Sequence, residues 1–405
     1  MNNRDSQRSE SGQSLVLIAL SAVLLLGMSG LAIDGGILFS DRRHAQNAAD
    51  SAAMAGAFAI LQGNDPVAAA YARAADNDFD DNGTTNWVTV EYPPSSGPYA
   101  GDYNHIYVEI DSKVDAVFSQ MVFSGPLMNT VSAIGRAKPA SVEPLLLGNA
   151  VVGLAPTGCA VVWSHGNNAT TIDGGGIHVN SDDPNCAFKA SGSNELSVIG
   201  DDIDVVGGFE ISGSATVDPP PTAGVDPLAE PEIDPPTCST NATRDDGNDT
   251  FTPGYTDNFR FNGGNWTLDS GIYCVDGGFT VNSGTVLNGE DVFIYVMTGD
   301  VTWNGSAEIH LDAMDSGEYA GLLIYQAVGN TDMATINGGS DSTWTGTMYF
   351  PSAEVQVNGG GGTDGFNSQV IGDTVDMSGS SDINITYNED ENYLVRKPPQ
   401  VELAQ

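Results

Sequence analysis

The stretch FRFNGGNWTLDSGIYCVDGGFTVNSGTVLNGEDVFIYVMTGDVTWNGS, residues 259–306, repeats one short pattern three times. Each copy starts with an apolar–polar–apolar triplet (FRF, FTV or VTW) and then reaches a glycine through Asn or Ser. These glycines, Gly263, Gly284 and Gly305, are 21 residues apart in both steps. The alternation predicts short strands, and Asn and Gly tolerate the left-handed backbone of tight corners.

The same pattern continues on both sides of this stretch. FKASGS, FEISGS, ATINGG, VQVNGG and VDMSGS carry further glycines with steps of 20 or 21 residues: Gly192, Gly213, Gly338, Gly359 and Gly379. The 33-residue step from Gly305 to Gly338 leaves room for an insertion of about twelve residues. A turn of this length buries its apolar face only by stacking on other turns, so the repeat predicts an all-β parallel β-helix over residues 141–395. The crossover rule makes it right-handed, and we expect Asn ladders at its corners.

Two features interrupt or pin this β-helix. Residues 218–237, DPPPTAGVDPLAEPEIDPPT, are rich in prolines, which cannot donate ladder hydrogen bonds, so we expect an extended excursion. The four cysteines have wide spacings and no CxxC, which favours disulfides over zinc. Of three connectivities we prefer Cys159–Cys186 and Cys238–Cys274.

The N-terminal region contains 19 residues without a charge, Leu15 to Ile33. This length just spans a bilayer core, and we expect a single transmembrane helix over residues 15–38 after a cytoplasmic tail, residues 1–14. Two arginines lie on each side of the span, so the positive-inside count is a tie. The residues that follow the span contain the cysteines and the acidic surface, which favours an extracytoplasmic location for this larger part of the chain. A cleavable signal peptide ending near Gly30-Leu31-Ala32 is the alternative.

Residues 39–140 predict a small α+β module. The alanine-rich run His44 to Leu61 favours a helix, and WVTVEY (87–92), HIYVEID (105–111) and Thr130–Ala137 have the alternation of strands. Asp115–Phe123 is expected to be a short helix. Residues 396–405 are expected to form a C-terminal tail.

An acidic loop in this region has two interpretations. Asp78, Asp80 and Asn82, followed by Gly83, match the first half of a calcium loop. Position twelve would be Thr89 rather than Glu, so an acidic helix-to-strand loop is favoured. Calcium stays open as the weaker alternative, and no other cofactor or metal is expected.

The run GQSLVLIALSAVLLLGMSGLAIDGGILFSDRRHAQNAADSAAMAGA, residues 12–57, resembles the N-terminus of TadG-like (TadE/TadG-like) Flp pilus-assembly proteins. The motif positions are Gly12, Asp34, Arg43, Gln46 and Asp50. The resemblance implies a single-pass protein of the cytoplasmic membrane with its bulk outside, a pilin-like α+β module and pilus-assembly or pilin-like partners.

The net charge of −40 comes from 13 Lys and Arg against 53 Asp and Glu. Through Ala45 the two signs balance at four each, so all of the excess lies in the remainder of the chain. Lys and Arg this scarce argue against a nucleic-acid partner, because few positive charges are available to neutralise phosphates. Between Arg260 and Arg396 there is no Lys or Arg at all. We interpret the charge as a solubilising surface for a repetitive β-structure.

Catalysis is not expected, although β-helices host polysaccharide-active enzymes. A lyase would need a basic group, and the available ones, Lys189, Arg244 and Arg260, share no motif. An inverting hydrolase would need two carboxylates on the same face of a strand. Asp201 and Asp202 are adjacent in the sequence, so they point to opposite faces. We therefore expect a membrane-anchored structural protein of Flp, or tight-adherence, pilus assembly or of cell-surface attachment. The alternative is a β-helical surface adhesin that binds glycan, and a polysaccharide-active enzyme is the third possibility.

Overall fold

The computed structural model describes residues 11–115, 117–118, 125–257, 259–338, 342–359 and 366–404 of the 405-residue chain. The chain forms two compact units. The first contains the chain up to Ser141 together with the segment from Lys397 onward, and the second is Val142–Arg396. The second unit is therefore inserted between two pieces of chain that fold together.

The N-terminal helix, α1, runs over Ser11–Gln62 and is much longer than the expected membrane segment, residues 15–38. Between Leu15 and Ile33 its large apolar side chains are exposed. Among the described residues it is the one helix long and apolar enough to cross a membrane. An apolar surface on every side of a helix is unfavourable in water, so α1 is a candidate single membrane span.

The first unit contains an antiparallel sheet in the order β1 (Asn86–Glu91), β2 (His105–Val114), β3 (Leu127–Lys138) and a C-terminal strand (Gln400–Ala404). The segment expected to be a tail, residues 396–405, thus contributes an edge strand. The local sequence does not show this because the pairing joins residues more than 260 positions apart.

Ion pairs support this C-terminal strand. Lys138 Nζ lies 2.8 Å and Arg136 Nη1 lies 3.3 Å from the carboxylate of Glu402. The hydrogen bond from Lys138, with the charges of both basic residues, holds the pKa of Glu402 below its usual value. All three groups are substantially exposed, so these pairs select the register more than they add stability.

A second helix, α2, spans Pro66–Asp76 in the first unit. The carboxylate of Asp65 accepts hydrogen bonds from the N–H groups of Val67 and Ala68 at 3.0 and 3.1 Å, which satisfies donors that a helix start leaves unpaired. The short helix expected at Asp115–Phe123 lies mostly outside the described residues.

The second unit is a β-solenoid of about ten turns, as the repeat predicts. Each turn contributes strands to three faces, which we call A, B and C. In the first turn of the chain, face A contains Val151–Gly153, face B contains Val162–Gly166 and face C contains Ala169–Asp173. Strands of equal position pair in parallel, for example Val162 with Phe188. The later strands before the break are Ile177–Val179, Phe188–Gly192, Glu195–Ile199, Ile203–Val205, Phe209–Ile211, Thr216–Asp218 and Thr222–Ala223.

Strands resume after a segment of some twenty residues. They are Arg244–Asp245, Thr250–Phe251, Gly254–Thr256, Phe259–Phe261, Gly264–Leu268, Gly271–Val275, Phe279–Val281, Thr285–Val296, Val301–Trp303, Glu308–Ala313, Leu322–Gln326, Ala334–Asn337, Thr343–Thr345, Thr347–Asn358, Phe366–Asn367, Val370–Ser378 and Ile383–Thr386. Ser141–Pro144 and Leu394–Lys397 form a separate two-stranded sheet, and Leu145–Gly148 and Glu389–Glu391 are 3-10 turns.

The order of turns in space differs from their order in the chain. Val370–Gly372 pairs with Val151–Gly153, and Ile383–Thr386 pairs with residues 170–173. The turns that come first in the sequence therefore stack on the turn that comes last. The chain enters and leaves the solenoid between these two turns, and the segment after Ala223 returns to the opposite end of the stack.

The repeated glycines lie at the corner between faces B and C. Gly192 and Gly213 have φ values of 86° and 74°, and a Cβ at Gly213 would lie 2.7 Å from the carbonyl oxygen of Gly192. Next to this corner the amide of Asn304 donates to that of Asn282 at 2.9 Å, and the amide of Asn358 donates to that of Asn337 at 2.8 Å. The predicted asparagine ladder is thus present.

The proline-rich excursion expected at residues 218–237 begins later in the structure, because Asp218 ends one strand of the solenoid and Thr222–Ala223 forms another. The segment that leaves the coil is a strap, residues 224–243, along the outside of face A. The amide of Asn180 exchanges two hydrogen bonds with the backbone of Leu228, at 2.8 and 2.9 Å. Three tyrosine hydroxyls donate to strap carbonyls: Tyr349 to Pro231 (3.2 Å), Tyr325 to Ile233 (3.2 Å) and Tyr319 to Asp234 (3.1 Å). Burial raises the pKa of Tyr325 to about 12, so it is a neutral donor at physiological pH.

Two disulfides join the cysteines as the sequence analysis preferred. Cys159–Cys186 connects two successive turns, and Cys238–Cys274 fixes the far end of the strap to face A. The second disulfide thus holds a segment that crosses several turns and that has no strand pairing over most of its length.

We expect Cys238→Ser to release the far end of the strap. A disulfide contributes about 2–4 kcal/mol, so local opening should increase at least about tenfold. The measurement is the rate of cleavage between Glu232 and Ile233 by a Glu-specific protease. Cys159→Ser, which removes the other disulfide, is the matched control and should leave that rate unchanged. Equal rates in wild type and Cys238→Ser would contradict the role given to the disulfide.

Candidate functional site on the N-terminal helix

One face of α1 carries small and acidic residues at helical spacing. Gly30, Asp34, Ala45 and Ala48 are buried, and Asp41 on the same face is half-buried. Steps of four, seven, four and three residues place all five on one side of a helix. This face is therefore the side on which α1 contacts the rest of the first unit.

Asp34 is the first charged residue after the uncharged run Leu15–Ile33 of α1. Its side chain is 3% exposed and accepts hydrogen bonds from the N–H groups of Val117 and Phe118, both at 3.0 Å. A Cβ at Gly30 would lie 2.7 Å from Cβ of Phe118, so only glycine permits this approach. A buried carboxylate with charge-assisted bonds thus holds the chain that follows β2 against the helix.

A second carboxylate lies two turns further along α1. Asp41 accepts hydrogen bonds from the hydroxyl of Ser112 and from the amide of Asn129, the latter at 2.7 Å. The same amide donates to the carbonyl of Leu38 at 3.1 Å. The sequence analysis missed Asp41, Ser112 and Asn129. The seven-residue step from Asp34 to Asp41, in line with the buried alanines, is the signal that could have identified Asp41.

The remaining family-motif positions are arranged less uniformly. Gln46 donates to Asp50 at 2.8 Å and to the backbone carbonyl of Ser132 in β3 at 3.1 Å, so it joins the helix to the sheet. Arg43 is exposed, and Gly12 lies in the first turn of α1. The structure therefore brings Asp34, Gln46 and Asp50 to contacts within the first unit but not Arg43 or Gly12.

We expect Asp34→Ala to free the amides of Val117 and Phe118. Hydrogen bonds to a charged acceptor contribute about 1.5–3 kcal/mol, so amide exchange at both positions should accelerate at least about tenfold. Hydrogen exchange of the full chain in detergent micelles measures this effect. Asp50→Ala is the control and should leave both amides protected. Unchanged exchange in Asp34→Ala would contradict the anchoring role.

The loop with the calcium-like spacing is a hydrogen-bonded turn. The Asn82 side-chain oxygen accepts the N–H groups of Thr84 and Thr85 at 2.9 and 2.8 Å. Its amide nitrogen donates to Asp80 at 2.8 Å, while Asp78 lies 3.7 Å from His44. These contacts describe an acidic loop between α2 and β1, and calcium binding here stays an untested alternative.

The residues weighed for catalysis have separate contacts in the solenoid. Lys189 Nζ lies 3.2 Å from Glu210, and the guanidinium of Arg244 bonds Asp246 at 2.7 Å. Asp201 accepts a hydrogen bond from the backbone of its neighbour Asp202 at an exposed corner. Arg244 also donates to the backbone carbonyl of Arg260 at 3.2 Å. Each of these groups is thus used locally, and no described contact joins one of the three basic residues to Asp201 or Asp202.

The solenoid also has an acidic cavity of about 510 Å³ that the sequence analysis did not identify. Arg396 lies in its wall and donates to the carbonyl of Gly317 at 2.7 Å. The carboxylates that line it are Glu290, Asp291, Asp312, Asp315, Glu318, Asp390 and Glu391. Their charge disfavours anionic ligands such as acidic glycans.

Comparison with known proteins bears on α1. Residues 12–61 match the family described as "Putative Flp pilus-assembly TadE/G-like". No curated protein and no solved structure matches the chain. The chain thus carries a TadE/G-like Flp pilus-assembly domain that coincides with α1, and the resemblance inferred from the sequence is confirmed there. The solenoid lies outside the match.

Proposed function

We propose that this chain is a structural protein of Flp pilus assembly, anchored in the cytoplasmic membrane by α1 with its solenoid on the extracytoplasmic side. The observation that carries the proposal is the coincidence of the family match, residues 12–61, with α1 itself. Within that match, the N-terminal part of α1 has an exposed apolar surface, and the part from Ala45 onward has a face of buried alanines.

Two observations support the extracytoplasmic placement of the solenoid. Both disulfides belong to it, and disulfides persist in oxidising compartments. The excess of acidic residues also lies beyond residue 45, where it keeps a long repetitive β-surface soluble.

We also propose that the first unit is a pilin-like module. A helix whose N-terminal part is apolar and exposed, and whose C-terminal part packs on an antiparallel sheet, can associate in the membrane with similar helices. Gly27, Gly35 and Gly36 have open space where a Cβ would lie, and small residues favour close helix contacts in lipid. Pilin-like proteins are therefore the proposed partners.

A structural rather than catalytic role is part of the proposal. Its support is that Lys189 and Arg244, two of the three basic residues weighed for catalysis, are already ion-paired. Turnover of a polysaccharide by the purified chain would contradict this part of the proposal.

A deletion strain tests the function. We expect it to lack Flp pili in electron micrographs, and we expect the full chain to restore them. The Asp34→Ala chain should restore fewer pili than the matched Asp50→Ala chain, because only the former loses the anchor at the end of the apolar helix. Normal pili together with lost surface attachment would contradict pilus assembly and favour the adhesin.

Membrane topology has a separate test. Protease added to intact spheroplasts should digest the solenoid, and the N-terminal fragment should remain in the membrane fraction. Protection of the solenoid until the membrane is permeabilised would overturn the extracytoplasmic placement.

A further inference from the structure

The chain directly after β2 lies against the apolar run of α1. The N–H groups of Val117 and Phe118 donate to Asp34, and a Cβ at Gly30 would lie 2.7 Å from Cβ of Phe118. Gly30 lies within the uncharged run Leu15–Ile33, three residues before its end. Because a helix rises about 1.5 Å per residue, Phe118 lies about 4.5 Å inside the level at which the apolar run ends.

Contacts with α1 also give the level of β3 along the helix axis. The amide of Asn129 donates to the carbonyl of Leu38 at 3.1 Å, and the carbonyl of Ser132 accepts from Gln46 at 3.1 Å. β3 thus runs along α1 away from the apolar run, and Met128, next to Asn129, lies near the level of Leu38. The start of β3 and the chain after β2 are therefore close to the end of the apolar run.

Large apolar side chains at this level are exposed. Val117, Phe118 and Met128 are 62%, 42% and 47% exposed. Met128 lies on the side of β3 that faces away from α1, and the next two positions on that side, Thr130 and Ser132, are polar. The most exposed apolar side chain of this strand is thus at its end nearest the apolar run.

Phe39 extends this apolar surface to the other side of α1. It follows Asp34 by five residues, which turns it by about 140° from the face that contacts the sheet. Its side chain is 64% exposed, and helix side chains lean toward the N-terminus, here toward the apolar run. We call Phe39, Val117, Phe118 and Met128 the apolar belt, because they lie on both sides of α1 at the end of its apolar run.

Basic residues lie next to the apolar belt. Arg42 and Arg43 follow Phe39 within about one turn and are exposed, and Lys113 is the register partner of Met128. These are three of the 13 basic residues in a chain of net charge −40. Their position suits phospholipid headgroups, whose phosphates lie just outside the hydrocarbon core.

We propose that the apolar belt lies in the interface of a lipid bilayer, so that the first unit contacts the membrane that α1 spans. Exposed apolar side chains on opposite sides of α1, at one end of its apolar run, favour lipid over a protein partner. A protein covers one side of such a helix, whereas a bilayer covers all sides. Interfacial segments bury apolar side chains about 5–10 Å into the boundary between headgroups and acyl chains. The inference rests on the proposed anchoring by α1, but not on which side of the membrane the solenoid lies.

Asp34 makes this location tolerable for the backbone. Non-helical backbone close to hydrocarbon needs hydrogen-bond partners within the protein, because lipid tails offer none. The carboxylate of Asp34 supplies them for the N–H groups of Val117 and Phe118, both at 3.0 Å. The two charge-assisted bonds in turn stabilise the carboxylate where little water reaches it.

Fluorescence quenching in lipid vesicles tests the proposal. The four native cysteines form two disulfides, so one introduced cysteine in the full chain is a single site for a thiol-reactive fluorophore, and the wild-type chain should take up no label. The vesicles are phosphatidylcholine, with or without phosphatidylcholine that carries a quencher near the start of its acyl chains. We expect Val117→Cys and Met128→Cys to lose fluorescence when the quencher is present. Val117→Cys keeps the N–H that bonds Asp34.

Two positions on α1 are the controls. Leu31→Cys, 61% exposed and within the apolar run, lies close to the level of Phe118 and should lose fluorescence because α1 spans the bilayer. Phe58→Cys, 52% exposed, lies about 36 Å further along the helix than Asp34 and should keep its fluorescence.

Each outcome decides the question. Quenching at Leu31→Cys, Val117→Cys and Met128→Cys but not at Phe58→Cys supports the apolar belt. Quenching at Leu31→Cys without quenching at Val117→Cys or at Met128→Cys leaves the anchoring by α1 intact and overturns the belt. No quenching at Leu31→Cys overturns the proposed anchoring itself. Equal quenching at all four positions indicates nonspecific adsorption to lipid and also overturns the belt.

Discussion

Phe188→Ala should lower the free energy of unfolding of the solenoid by about 3–5 kcal/mol, because it empties a fully buried aromatic position. Phe188 lies in face B between Val162 and Phe209. In a solenoid each turn is stabilised by its neighbours, so the loss should concentrate in the turns from Val151 to Ala223. Peptide-resolved hydrogen exchange measures where protection falls and by how much.

Phe209→Ala is the matched control for this prediction. It removes the same side chain from the same row one turn further out, where 39% of the residue is already exposed. We expect a loss of about 1–2 kcal/mol, because less apolar surface is removed from contact there. Equal losses for the two variants would show that the terminal turn is buried in the monomer, against the structure.

Gly135→Val should separate α1 from the sheet of the first unit and cost about 3 kcal/mol, the upper range for overpacking. A Cβ at Gly135 would lie 2.2 Å from the carbonyl oxygen of Ala53 and 3.2 Å from Cβ of Ala57. The carbonyl of Ala53 belongs to the backbone of a regular helix, so it cannot rotate away from the new side chain. Hydrogen exchange should therefore accelerate in β2 and β3 while the solenoid strands stay protected.

Ser132→Val controls for a β-branched residue in the same strand. The side chain of Ser132 is exposed, and its contact with Gln46 of α1 is made by the backbone carbonyl, which valine retains, so exchange in β2 should stay nearly unchanged. Comparable acceleration in both variants would mean that strand propensity, rather than contact with α1, explains the effect of Gly135→Val.

Much of the solenoid could be predicted because its information is local and repeated. The 21-residue step recurs in the registers of Gly264 with Thr285 and of Ala334 with Val355. Gly192, Gly213, Gly263, Gly284 and Gly379 share a position in the repeat and have positive φ at one corner, a backbone conformation that glycine tolerates. The same regularity predicted the strap as an interruption, because prolines cannot donate to a ladder.

The candidate site on α1 was predictable in part. Asp34 was identified by resemblance, but its burial depends on contacts with Val117 and Phe118, more than 80 positions away in the chain. Asp41 escaped because its partners, Ser112 and Asn129, are some 70 to 90 positions distant in the chain. Contacts at that separation leave no periodic signal in a single sequence.

The sequence by itself determined that turns of about 21 residues stack and that α1 carries a uniformly apolar segment, whereas it left three ways of pairing the four cysteines. Only the tertiary structure decided the order of the turns, with Val151 stacked on Val370, and the return of Gln400–Ala404 to the first unit. The physical reason is that backbone ladders are nearly independent of side-chain identity, so every turn offers its neighbours similar edges. Long-range packing, the strap and its disulfide then select one arrangement.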